Sequence, residues 1–176
     1  MTQNSVPGRV DRIDLSILAA LFADARISKV KLGARVGLSA SRCYERMRRL
    51  EQAEIIRGYH ADVDIARLAS CLQFVVQVKL QDYTGARAKQ FERALAKIPE
   101  IVSCQSVLGH IDYVIVVVAA TLERYQEVIA ELRSVSESEF DFMTFPVSKV
   151  IKSPGQGDLK QIVGRLARER EPLNAD

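Results

Sequence analysis

Apolar positions recur at helical spacing through the first third of the chain and at strand spacing through most of the rest. From Arg12 to Phe22, the residues Ile13, Ile17, Leu18 and Leu21 make a stripe along one side of a helix. A second short helix begins at Ser28, a hydroxyl N-cap, and carries Leu32 and Val36 four apart. It stops at Gly37, which suits the left-handed position that ends a helix. After Leu38, Ser39 caps a third helix in which Cys43, Met47 and Leu50 fall at i, i+4 and i+7 and face inward. At about 100° per residue, Ser41, Glu45, Arg48, Arg49 and Gln52 project outward. Arg42 and Tyr44 flank them, and Arg46 stands nearer the core edge. The stretch Ile55 to Ala61 reads as a short β-ribbon or wing leading out of this region.

From Leu72 the period changes. Leu72 to Leu80 alternates, with Phe74, Val76, Val78 and Leu80 on one face. Residues 85–98 read as a helix with Phe91, Leu95 and Ile98 inward, stopped by Pro99. Ile101 to Leu108 and Asp112 to Ala119 read as two strands joined by Gly109-His110-Ile111. Leu122, Tyr125, Val128, Ile129, Leu132 and Val135 mark a strongly amphipathic helix, and Phe140 to Ile151 closes as a fourth strand. The order β-α-β-β-α-β is the ferredoxin-like split motif.

The predicted fold class is therefore α+β, a winged helix-turn-helix followed by a ferredoxin-like domain. Its parts are a helix-turn-helix unit with its wing over 1–61, a linker over 62–71, a ferredoxin-like domain over 72–152 and a tail over 153–176. In the tail, Leu159, Ile162, Val163 and Leu166 share one side of a short helix, which either packs on the assembly or frays in solvent. One face of the sheet has no helices over it, and Val75 with part of Val114 to Val118 needs cover there. A second copy of the sheet is the simplest cover, which predicts a homodimer or larger assembly; a monomer with the wing or tail folded over that face is the alternative.

Composition narrows the field. Of 176 residues, 48% are hydrophobic and 27% charged, as in an ordinary globular protein. The longest apolar run, Tyr113 to Ala120, falls far short of the roughly 20 residues a membrane span needs. The first fourteen residues hold no apolar core of the kind a signal peptide uses. Three cysteines without a CxxC pair point to neither a disulfide framework nor a zinc site, so the expected setting is the reducing cytoplasm. No membrane, metal or cofactor is called for.

The net charge of +3 is unevenly spread. Residues 1–60 hold 11 Lys/Arg against 6 Asp/Glu, while 61–152 hold 10 against 12 and the tail 4 against 4. The whole excess lies with the two short helices joined by a glycine turn, the components of a helix-turn-helix. A helix with a cationic, hydroxyl-bearing outer face fits the major groove, its arginines reading guanine edges or holding phosphates. The competing view is that Arg42, Arg46, Arg48 and Arg49 solvate the helix and pair with Glu45 and Glu51; cap-turn-cap spacing and domain charge favour DNA. Catalysis finds no support. His60 and His110 lie in unrelated segments, Cys43 sits on an apolar face, no GxxxxGK phosphate loop exists, and Gly85-Ala86-Arg87 lacks a catalytic partner.

The motifs also resemble those of one family. Val10-Asp11-Arg12-Ile13-Asp14, Asp24-Ala25-Arg26-Ile27-Ser28, Arg35-Val36-Gly37-Leu38-Ser39, the run Cys43 to Glu51, Gly109-His110-Ile111-Asp112-Tyr113 and Thr144 to Lys152 stand in order as they do in the leucine-responsive regulator (Lrp/AsnC) family. The resemblance covers residues 10–152. It implies a helix-turn-helix, a linker strand and an effector-sensing domain, with homodimers joining into tetramers or octamers that respond to a small effector, often an amino acid. The implied contacts to double-stranded DNA are Lys29, Ser39, Ser41, Arg42, Tyr44, Arg46, Arg48 and Arg49. The implied effector contacts are Leu108, Gly109, His110, Asp112, Tyr113 and Thr144, lying between subunits of neighbouring dimers.

The chemistry agrees with that placement. Gly109 leaves backbone N–H groups open to a carboxylate, and Asp112 can accept from an ammonium group. The plainer alternative has Gly109 making the hairpin turn and Asp112 capping it. Departures from the family are Ala53-Glu54 where a glycine commonly precedes the Ile-Ile pair, His110-Ile111 in the turn, and the longer tail. The expected function is a sequence-specific, effector-modulated transcription regulator and not an enzyme. The alternatives are an architectural, nucleoid-like DNA-wrapping protein and, in a different class, an amino-acid-binding metabolic enzyme.

Overall fold

The computed structural model describes residues 10–153 and 157–170. Residues 1–9, 154–156 (with Pro154) and 171–176 lie outside the described residues, as do the side chains of residues 166–170, Leu166 among them. The chain forms two compact units, Met1–Asp62 with Ile151–Asp176, and Val63–Val150.

The first unit is built on α1 (Arg12–Ala23), α2 (Lys29–Val36) and α3 (Ala40–Gln52). Each begins where the sequence supplies an acceptor for orphan N–H groups. Asp11 accepts from the N–H groups of Ile13 and Asp14, and the Asp14 carboxylate accepts from the Asp11 N–H, completing a reciprocal cap. Ser28 and Ser39 cap α2 and α3. The turn between them needs two glycines. Gly37 takes φ +73°, and a Cβ on Gly33 would stand 2.7 Å from the Leu38 carbonyl oxygen. Gly33 was not among the residues singled out from sequence, because its reason is a close approach and not a period. Ile17, Leu21, Leu32, Cys43, Met47 and Leu50 form the core.

Two expectations change here. Ile55 to Ala61 is not a β-ribbon: no ladder partner for it exists among the described residues, and a strand is defined by its partner. Instead the Tyr59 hydroxyl donates to Glu51 Oε1 at 2.7 Å, tying this segment back to α3. Secondly, the C-terminal segment is not a separate tail. Its helix α7 (Leu159–Arg170) packs on α1, where Ser16, Ala19 and Ala23 leave room for close approach.

The second unit starts with a single turn, α4 (Ile65–Leu68), that the sequence reading left within the linker. Then come β1 (Leu72–Leu80), α5 (Gly85–Leu95), β2 (Ile101–Ser106), β3 (Tyr113–Ala119), α6 (Leu122–Ser136) and β4 (Phe140–Pro146). The sheet order is β2-β3-β1-β4, antiparallel throughout, which is the ferredoxin-like arrangement. Register places Phe74, Val76 and Val78 opposite Val117, Ile115 and Tyr113, all buried under the two long helices with Phe91, Tyr125, Val128 and Leu132. Four elements are shorter than predicted: α5 ends at Leu95, β2 at Ser106 and β4 at Pro146, and β3 begins at Tyr113. β4 ends at Pro146 on the sheet edge, where the missing N–H costs no ladder bond, and the Val147 N–H still donates to the Gln73 carbonyl at 2.8 Å.

Candidate nucleic-acid interface and effector hairpin

On α3, Cys43, Met47 and Leu50 are buried while Ser41, Arg42, Tyr44, Glu45 and Arg48 are exposed, so the outward face is the one the periodicity predicts. Ser39 is engaged in its cap, its Oγ accepting from the Arg42 N–H at 3.3 Å. Lys29, at the start of α2, stands 4.0 Å above the Tyr44 ring, a cation–π contact that links the leading ends of the two helices.

Arg46 is half-buried and Arg49 is exposed, with 53% of its side chain accessible, yet the guanidiniums of both are engaged within the unit. Arg46 Nη1 donates to Asp11 Oδ2 at 2.6 Å and to Asp14 Oδ1 at 2.8 Å, and Arg49 Nη2 donates to Asp14 Oδ2. Arg46 and Arg49 were both expected among the DNA contacts. The structure turns these guanidinium contacts toward α1, because a buried carboxylate there demands cationic partners. The carboxyl of Asp11 is held below the ordinary aspartate range, first by the backbone N–H of Asp14 and then by Arg46.

In the second unit, the β2–β3 hairpin carries the expected effector residues. Leu108 and His110 are exposed, and Gly109 takes φ +140°, open to glycine alone. Asp112 is a fastener: its N–H donates to the Val78 carbonyl at 2.9 Å, its Oδ2 accepts from the Leu80 N–H at 2.8 Å, and its carbonyl accepts from the Val107 N–H at 2.9 Å. This is the capping alternative realised, with the side chain pinning the hairpin to the end of β1.

Two expected effector contacts are placed elsewhere. The Tyr113 ring is in the core, 5.0 Å from Phe91, and its hydroxyl reaches Glu92 Oε1 at 3.2 Å. Burial and the neighbouring Glu92 carboxylate push that phenol far above its usual range. Thr144 pairs its hydroxyl with that of Tyr125 under α6, and β1 lies between it and the hairpin. Both follow from strand parity, since Tyr113 and Thr144 point to the helix-covered face. The sequence reading missed a cleft of about 400 Å³ between α5 and β2, lined by Glu92, Leu95, Ser103, Cys104 and Tyr113 among others. Its only trace in sequence is the polar run Ser103 to Ser106 on an edge strand.

Comparison with known proteins matches this two-part design. Residues 10–51 match the AsnC-type helix-turn-helix domain, and residues 73–155 match the Lrp/AsnC ligand binding domain. The chain belongs to the Lrp/AsnC family. It is 36% identical over 146 residues to the transcriptional regulatory protein DoeX of Halomonas elongata, covering 83% of this chain and 92% of that one. To the leucine-responsive regulatory protein of Escherichia coli K12 it is 35% identical over 147 residues, 83% of this chain and 90% of that one. The crystal structure of a Neisseria meningitidis transcriptional regulator in complex with L-methionine superposes with a TM-score of 0.77 at 26% identity, covering 88% of this chain and 99% of that one. This Lrp/AsnC protein is thus a DNA-binding transcription regulator with a ligand-binding domain. Among the described residues, no helix is long and apolar enough to cross a membrane.

Proposed function

We propose that this regulator works in the cytoplasm as a homodimer, or as a tetramer or octamer built from dimers, and that it acts by binding, not by catalysis. It presents paired α3 helices to a pseudo-palindromic duplex and responds to a small amino acid. The observation that carries the DNA-binding part is the outward face of α3, where Ser41, Arg42, Tyr44 and Arg48 stand exposed beside Lys29. Hydroxyl, aromatic and guanidinium groups on one helix face match the donor and acceptor pattern of major-groove edges and the phosphates that flank them.

Assembly is supported by the sheet face without helices. Val75, Val114, Val116 and Val118 share it with Met143 and Phe145, which are 58% and 43% exposed. A contiguous apolar face of this kind on a single chain favours a second copy. The amino-acid response is supported by the L-methionine complex of the Neisseria relative and by the exposed hairpin Leu108-Gly109-His110, held in place by Asp112.

The test is fluorescence anisotropy on the duplex upstream of the chain's own gene and on random duplex of equal length, over a salt series, with and without pooled amino acids. Specific binding that weakens steeply with salt and shifts with one pool is the expected result. Equal affinity for both duplexes would replace this reading with the architectural one. No binding at low salt would end it. Sedimentation of the same sample reads the assembly directly.

A further inference from the structure

One charged group inside the first unit is buried away from the outward face of α3. Asp14 is 0% exposed, on the first turn of α1, and both of its carboxylate oxygens are occupied. Oδ1 accepts from Arg46; Oδ2 accepts from Arg49 and from the Asp11 N–H. Asp11, one turn earlier, takes a second bond from the same nitrogen of Arg46. Burying a carboxylate is costly, and a well-packed apolar residue would stabilise the unit at least as well. What the apolar contact lacks is direction. The inward side chains of α3 are a cysteine, a methionine and a leucine, a small and adaptable set that permits sliding or rotation. Two guanidiniums three residues apart on one helix, converging on a single carboxylate, restrict the rotation of that helix.

We propose that Asp14, assisted by Asp11, is the positioning residue of the DNA interface. It sets the rotation of α3 so that Ser41, Arg42, Tyr44 and Arg48 face the groove, and it keeps two of the helix's four arginines off the phosphate backbone. This inference rests on the DNA-binding reading above. Withholding two cations lowers affinity for every sequence alike, while a fixed rotation preserves affinity for the right one. The effect is to raise the ratio between the two.

The first test is Asp14→Asn, which keeps the shape and an acceptor but removes the charge. Anisotropy is read on the chain's own upstream duplex and on random duplex across a salt series, with circular dichroism confirming a folded chain. The expected result is tighter binding to random DNA, with a log K against log salt slope steeper by about 0.9 for each arginine released to a phosphate. The preference for the upstream duplex should fall by about tenfold, comparable to one mismatched base pair. A folded variant with a lower melting temperature but unchanged slope and preference would show a purely structural carboxylate and overturn the proposal.

Arg46→Gln and Arg49→Gln approach the same question from the other side, and serve if the first variant fails to fold. The proposal expects each to leave the random-duplex slope unchanged. A slope shallower by about 0.9 in either would place that arginine on a phosphate in the native protein and overturn it. A native chain that binds neither duplex at low salt defeats the DNA-binding reading itself, and this proposal falls with it.

Discussion

The two units of this protein attach their helices by different means. In the second, α5 and α6 lie on the sheet through an almost wholly apolar contact: Phe91, Leu95, Tyr125, Val128 and Leu132 meet Phe74, Val76, Val78, Ile115 and Val117, all buried. Charged groups edge it: Arg124 Nε reaches Glu100 Oε1 at 2.8 Å and Nη1 reaches Glu127 Oε2 at 3.0 Å, and Glu92 of α5 accepts from the Tyr113 hydroxyl at 3.2 Å. In the first unit a smaller apolar core is pierced by a buried carboxylate that holds two arginines of the recognition helix. An apolar contact gives strength without direction, whereas charge-assisted hydrogen bonds give direction at modest net gain. The ligand-binding domain is held together mainly by strength. The reading head needs its helix held at one rotation.

That contrast can be broken experimentally, most visibly in the apolar unit. Phe91→Ala should cost about 3–5 kcal/mol, because the ring is fully buried between Tyr113 and Phe140. Differential scanning calorimetry should show one unit melting earlier with the other unmoved; a small shift would mean the core relaxes around the hole.

In the charged unit, Arg46→Ala should cost on the order of 1–2 kcal/mol, below the 3–5 of a fully buried pair, since Arg46 is 27% exposed and Arg49 remains to serve Asp14. The same scan checks it, and no change would mark these ion pairs as energetically idle. Acid provides a subtler probe. Asp11 and Glu100 are both held below their ordinary values of 3.8 and 4.5, Asp11 chiefly by the Asp14 N–H and Glu100 chiefly by Arg124. Their contribution is therefore complete above about pH 5 and lost as the pH falls through the lowered folded values. Melting temperature should stay level from pH 7 to 5 and drop below 4; a fall beginning above pH 5 would implicate other groups.

The smallest effect concerns Glu54, which follows the last turn of α3 with φ +55°. Glu54→Gly should raise stability by roughly 0.5–1 kcal/mol by relieving a left-handed side-chain-bearing residue. A loss in chemical denaturation would show that the glutamate side chain compensates for its backbone. The family resemblance implies a glycine just before the Ile-Ile pair, where Ala53-Glu54 stands in this chain.

Much of the DNA-facing helix was legible from sequence. Ser28, Gly37 and Ser39 announced its caps, and the spacing of Cys43, Met47 and Leu50 set its inward side. Arg46 was placed nearer the core edge but assigned to DNA, because a helical projection gives the angle of a side chain and not the partner waiting there. The Leu108–Asp112 hairpin was legible as a turn between two strands, whereas the side-chain directions of Tyr113 and Thr144 were not, because strand parity turns both toward the helices. The β-ribbon over Ile55 to Ala61 was overread, since β-propensity without a ladder partner specifies nothing.

Local rules thus carried the element order, the caps, the charge division between units and the family, all of which depend on neighbours within a few residues or on motifs in register. Only the folded chain decided that Asp14 would lie buried within reach of two arginines 32 and 35 residues away. It likewise decided that α7 would return to pack on α1, and that Asp112 would fasten a hairpin to the end of β1. Those contacts join positions far apart in the chain. Each needs a partner that only the closed chain brings within reach, and for the polar ones a low-dielectric setting strengthens the paired contact and penalises the unpaired group.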